Sequence, residues 1–328
     1  MINASKLNKW ITFINNFINL YRMKFLRKLL VFILIVIVFG GAAIWIIYYF
    51  KNIEKKELTY ELRKNTNGSY AELEKGFTHY ELDGPDSGKV VVLLNGFSVP
   101  YYIWNGTYEY LTSHGFRVLR YDMYGRGFSD RPNVTYNKQL YFEQLNELID
   151  QLHLKQPFNI AGVSFGGLMA ADYTAAYPEK VNKVVLIDPA YNFDHPSTPE
   201  LAENFLEALD PEKRALSQME DFKYPDKHPN WVEQYRPQME YKGFRHALVS
   251  TRYDYGSDNN KIYTALNNAH KQVLLIWGKD DKTVSFTYSK DIQQVLKTEF
   301  LPVDDAAHLP HLEQPDVVNP ALVTFLKK

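Results

Sequence analysis

The stretch Gly162-Val163-Ser164-Phe165-Gly166 sets a serine between two glycines, directly after the strand candidate 158–161 and before further small residues. On a sharp strand-to-helix turn such a serine stands clear of its neighbours, and the flanking glycines let the backbone bend and a substrate approach. A serine hydroxyl is a weak nucleophile at neutral pH, so it needs a base to take its proton and a third group to orient that base. Downstream, the segment WGKDDKTV offers Asp281 with Asp280 beside it, and DDAAHLPHLEQP offers His308 with His311 beside it. Serine, acid and histidine in that order, the acid and the histidine each expected in a loop after a predicted strand, point to acyl transfer through a covalent intermediate on Ser164.

Bringing three such groups together calls for a scaffold that gathers loops along one edge. An unbroken apolar run of the buried-strand kind lies at 90–94, and further buried-strand candidates lie at 117–121, 158–161, 184–187, 273–277 and 299–303. Two shorter segments near 70–73 and 77–82 read as an opening strand pair before the turn Asp83-Gly84-Pro85-Asp86. Helical patterns separate several of the strands, the clearest carrying Tyr141, Leu145, Leu148 and Leu152 on one face. Others follow Ser164, Tyr288 and Asp316. Alternating strands and helices predict an α/β fold with a mostly parallel central sheet and helices on both faces, its functional groups at the carboxyl edge. Residues 189–265 interrupt the alternation and read as a helical cap inserted over that edge.

The segments LLNGFSVPYYIW (93–104), RYDMYGRGFSDRP (120–132), AGVSFGG (161–167), IDPA (187–190), IWGKDD (276–281) and AAHLPHLEQP (306–315) together resemble the α/β-hydrolase fold superfamily of esterases and lipases. The resemblance spans residues 68–325 and includes the look of bacterial monoacylglycerol-lipase-like esterases. It implies that the acid is Asp281, three residues after Gly278, with Asp280 and the more distant Asp188 as alternatives. It implies that the base is His308, the first histidine of the H-x-P-H pair, with His311 and Glu313 shaping the loop. The oxyanion donors would be the backbone N–H groups of Phe97 and Phe165. Relatives usually carry His-Gly where this chain has Asn95-Gly96. Epoxide hydrolases and haloalkane dehalogenases put Asp where this chain has Ser164, which disfavours both. A neutral His308 is required, so activity is expected to fall as pH drops through roughly 6 to 7.

The formal charge of −1 hides an asymmetry, because residues 1–50 carry six basic side chains and no acidic one. Residues 51–328 then hold 31 basic and 38 acidic side chains, a charge of −7, which gives no basic excess for nucleic acid. There is no cysteine, so disulfide scaffolds, thiolate metal sites and a cysteine nucleophile are excluded. Gly125-Arg126-Gly127 lacks the third glycine of a dinucleotide loop, and His308 with His311 lacks a third metal ligand. No cofactor and no metal is expected.

Residues 29–50 run for 22 positions without a charge, long enough at about 1.5 Å per residue to span the roughly 30 Å hydrocarbon core. Trp45, Tyr48 and Tyr49 close the run at interface depth. The organisation expected is a basic tail over 1–28, a single transmembrane helix over 29–50, a linker over 51–67 and a catalytic domain over 68–328. That domain is expected on the outer face of a cell membrane. Trp10, Phe13, Ile14, Phe17, Ile18 and Tyr21 recur at helical spacing, as an interfacial helix would require. Holding the site beside a bilayer favours a lipid-like ester, a monoacylglycerol or lysolipid, although other small-molecule esters fit the same triad. An acyltransferase, a C–C hydrolase or a perhydrolase would use the same residues, and a non-enzymatic membrane-tethered binding protein is the reading of another class.

Overall fold

Strand β3, Val90–Leu94, is apolar at every position because it is buried on both faces: Val90, Val92 and Leu94 enter one core layer, and Val91 and Leu93 enter the other. The computed structural model describes residues 4–191, 193, 196–256 and 258–328. Around β3 the strands β1 (Ser69–Leu73), β2 (Gly76–Asp83), β4 (Arg117–Tyr121), β5 (Phe158–Val163), β6 (Val181–Ile187), β7 (Gln272–Gly278) and β8 (Glu299–Val303) form one sheet. Its order is β1-β2-β4-β3-β5-β6-β7-β8. The pairs β1–β2 and β2–β4 are antiparallel, and every other pair is parallel.

The chain leaves β3 toward β4 on one side and returns to β5 on the other. Loops diverge there and open a crevice at the carboxyl ends of the strands. Helix Lys138–Gln151 lays Leu145 and Leu148 into one layer, while helix Pro315–Lys327 lays Val318, Leu322 and Leu326 into the other. The central helix Phe165–Ala176 is buried over nearly its whole length, which its small residues Gly166, Gly167, Ala170 and Ala171 permit.

The cap holds the helices Glu200–Leu209, Pro211–Ser217, Trp231–Met239 and Phe244–Asp254. Helix Asn259–Asn268 begins inside the expected 189–265 insertion and runs past its end, and its Ile262, Tyr263 and Leu266 join the core layer of Leu275 and Trp277. It therefore covers the sheet rather than the crevice.

The chain divides into two compact units, residues 1–52 and 53–328. In the first, one helix runs Ala4–Lys51 and contains the apolar stretch, with Trp10, Phe13, Phe17 and Tyr21 in successive ring contacts along it. The second begins with a segment expected to be a plain linker that is instead tied to the cap. Lys56 pairs as an isolated parallel bridge with Tyr241, its N–H donating to the Glu240 carbonyl and its carbonyl accepting from Lys242 N–H. The Glu54 carboxylate accepts from the Gly243 and Arg245 N–H groups at 3.1 and 2.7 Å, at the amino end of helix Phe244–Asp254, where the helix dipole favours an anion. Arg63 pairs with Asp130.

Candidate active site

Ser164 sits between β5 and helix Phe165–Ala176 with φ 54° and ψ −121°, a conformation an L-residue adopts only when its surroundings impose it. The glycines on either side explain how the turn closes. A Cβ on Gly162 would lie 2.0 Å from the Gly166 carbonyl oxygen, and one on Gly166 would lie 2.3 Å from that of Leu94. Both must be glycine for the strand to meet the helix this closely.

The loop after β8 carries His308, buried, and the loop after β7 carries Asp281, buried beside it. His308 Nδ1 and Asp281 Oδ2 are 2.8 Å apart. Asp281 Oδ1 accepts from the N–H groups of Thr283 and Val284 at 2.8 and 2.9 Å, which fixes the carboxylate. With Nδ1–H donated to Asp281, the Nε2 lone pair is left for a proton from a nucleophile. Burial works against the imidazolium, but the Asp281 carboxylate and its hydrogen bond, with Asp221 adding to them, hold His308 above its ordinary value.

Of the two alternative acids, Asp280 points to the rim, where its carboxylate meets Lys223 Nζ at 2.7 Å. Asp188, after β6, is fully buried with φ 40°, and its Oδ1 accepts from Gly278 N–H at 2.9 Å. Its side-chain oxygens lie within 4.8 Å of the ligand-capable atoms of Asp281 and His308. Burial, then the charge of Asp281, pushes the Asp188 carboxyl well above the usual range. Its Oδ2 is buried without a hydrogen-bond partner. His311 Nε2 lies 2.9 Å from the Ile103 carbonyl, and burial lowers His311 to about 4, so it is neutral and structural.

Ser164, His308, Phe97 and Phe165 all line one cavity of about 960 Å³. Phe165 opens its helix, so its N–H belongs to the first turn, where no helical carbonyl is available to it. Asn95 Nδ2 donates to the Tyr121 carbonyl at 2.7 Å and ties the Asn95-Gly96-Phe97 loop to β4. Asparagine thus anchors this loop directly to the strand. A Cβ on Gly96 would be 3.7 Å from that of Ser164, so the loop lies against the nucleophile turn.

Two residues that pattern reading passed over help build the site. Arg126, fully buried, donates to the Phe97 carbonyl at 2.9 Å and to Tyr141 Oη at 2.6 Å. Only its place in the Gly125-Arg126-Gly127 motif hinted at it. Asp221, in the cap, accepts from His308 N–H at 3.0 Å through its carbonyl. Nothing in its local sequence marks it.

A half-buried serine on the wall of a cavity that also holds a buried, acid-paired histidine is an arrangement capable of nucleophilic acyl transfer. Comparison with known proteins agrees in fold. The carboxylesterase YbfK of Bacillus subtilis is 25% identical over 266 residues, covering 78% of this chain and 86% of that protein. Its crystal structure superposes with a TM-score of 0.67 at 22% identity, covering 87% of this chain and 98% of that one. Epoxide hydrolase 4 of Mus musculus is 23% identical over 286 residues, 76% of each chain. An enol-lactonase from Burkholderia xenovorans superposes with a TM-score of 0.69 at 22% identity, covering 79% of this chain and all of that one. The family model for the alpha/beta hydrolase fold matches residues 89–315, and the chain belongs to that family.

Proposed function

We propose that the chain is a membrane-anchored serine hydrolase that cleaves carboxylic esters, with lipid-like esters such as monoacylglycerols or lysolipids as its substrates. The observation that carries the reading is Ser164, held at positive φ on the wall of the cavity that His308 also lines, with His308 oriented by Asp281 at 2.8 Å. His308 Nε2 takes the proton from Ser164 Oγ as the oxygen attacks the ester carbonyl. The oxyanion is held by the N–H groups of Phe97 and Phe165, and the imidazolium protonates the leaving alcohol. Water activated by His308 then releases the acid. A serine nucleophile forms an acyl-enzyme, which suits the esterase named among the relatives better than the epoxide hydrolase. The lipid preference rests on the apolar stretch within helix Ala4–Lys51, which would hold the site beside the bilayer, and on the apolar cavity residues Phe97, Val99, Phe193, Phe222 and Leu309.

The test is fluorophosphonate labelling of the full chain in detergent, with hydrolysis of 4-nitrophenyl butyrate, 4-nitrophenyl palmitate and a monoacylglycerol measured in parallel. Labelling and turnover in the parent and neither in Ser164→Ala are expected, with the long-chain esters preferred. An unlabelled, folded parent would sink the serine-hydrolase reading, and a preference for short esters would sink the lipid part alone.

A further inference from the structure

We propose that Asp221, which the cap supplies, is a positioning residue of the triad: it pins the His308 and Asp281 loops together and adds a second carboxylate at the junction of those loops. The inference rests on the serine-hydrolase reading above. The 3₁₀ turn Gln218–Asp221 follows cap helix Pro211–Ser217 and ends on the wall of the cavity that contains Ser164. There the Asp221 carbonyl accepts from His308 N–H at 3.0 Å, and its Oδ1 accepts from Thr283 Oγ1 at 2.8 Å. The Thr283 N–H is one of the two that hold the Asp281 carboxylate. One cap residue is therefore bonded to the histidine loop directly and to the acid loop through a single side chain.

The residues that follow repeat the pattern. Glu313 accepts from Lys223 N–H at 2.7 Å with one oxygen and from Ala307 N–H, next to His308, at 2.6 Å with the other. Lys223 Nζ bridges Asp280 and Asp305, one from each loop, at 2.7 and 2.6 Å. This part of the cap is consequently a clasp across the two loops, and any cap opening must hinge elsewhere.

The charge of Asp221 has a definite consequence. Burial raises its carboxyl, the imidazolium of His308 counteracts this, and the Asp221 carboxylate in turn raises His308. Asp281 Oδ2 lies at the Nδ1 of the ring, while burial raises the nearby Asp188 carboxyl well above the usual range and lowers His311 to about 4. On the cavity wall Glu220 and Lys282 have opposite signs, and Arg214 is paired with Glu207. Arg252 lies over the Phe193 ring. Asp221 is thus a cap anion whose own backbone is bonded to His308.

The experiment is the pH dependence of fluorophosphonate inactivation and of 4-nitrophenyl butyrate kcat/KM for the full-length parent, Asp221→Asn and Thr283→Val. Asparagine keeps the acceptor for Thr283 and removes only the charge. The acid limb is expected to shift to lower pH in Asp221→Asn, with the plateau within about threefold of the parent. Thr283→Val keeps the charge but loosens the clasp, so its plateau is expected to fall with no shift of the limb to lower pH. An unmoved limb in Asp221→Asn, or an unchanged plateau in Thr283→Val, would overturn the inference while leaving the serine-hydrolase reading intact. A parent inert to the probe would overturn both.

Discussion

In the proposed mechanism the imidazole of His308 must be neutral, while its surroundings favour the charged form, and together these set the pH range expected for activity. Its folded value lies above the ordinary 6.5. Full activity is therefore expected above that raised value and loss as pH falls through it, so the acid limb of kcat/KM should lie higher than an unperturbed histidine would give. A pH series with 4-nitrophenyl butyrate checks this, and a limb at or below 6.5 would contradict it. The adjacent acids separate just as sharply. Asp281→Asn removes the partner of His308 Nδ1 and is expected to lower kcat on the order of 10³- to 10⁴-fold. Asp280→Asn weakens one solvent-exposed contact of Lys223, whose bond to Asp305 and the Glu313 bonds remain, and kcat/KM should hold. Comparable losses in the two variants would reverse the assignment. Residue types alone left Asp280, Asp281 and Asp188 open, since all three follow strands; the hydrogen bond to His308 distinguishes them.

The nucleophile turn is where element geometry and chemistry meet. The carbonyl oxygens of Leu94 and Asn95 would lie 2.3 and 2.4 Å from a Cβ on Gly166, and both are backbone that cannot swing aside. Gly166→Ala is expected to lower stability by about 1–3 kcal/mol or more and to slow fluorophosphonate labelling. Urea unfolding and labelling rates check it, and a variant with parent-like values in both would show that the helix and the β3 loop can separate. The strands were readable because burial on both faces leaves a local trace, an apolar run bounded by turns. Segment 53–67 left no such trace. Glu54, Lys56 and Glu57 look like solvated linker charges until the chain folds back and sets residues 240–245 against them.

For the molecule as a whole, helix Ala4–Lys51 is about 72 Å long at 1.5 Å per residue, more than twice the bilayer core. The full chain is expected to stay with membranes after alkaline carbonate washing and to be released by detergent, followed by immunoblotting of both fractions. Release by carbonate alone would argue against a spanning anchor. The sequence by itself determined the strands, the tight glycine-flanked turn, the apolar helix and the order of serine, acid and histidine, because each is written in neighbouring residues. Only the tertiary structure decided which acid meets His308, that Arg126 braces the Phe97 loop, that helix Asn259–Asn268 serves the core and that Asp221 is bonded to both the His308 and the Asp281 loop. Those outcomes depend on hydrogen bonds and packing between residues far apart in the chain, and such pairings exist only once the sheet has brought its loops to one edge.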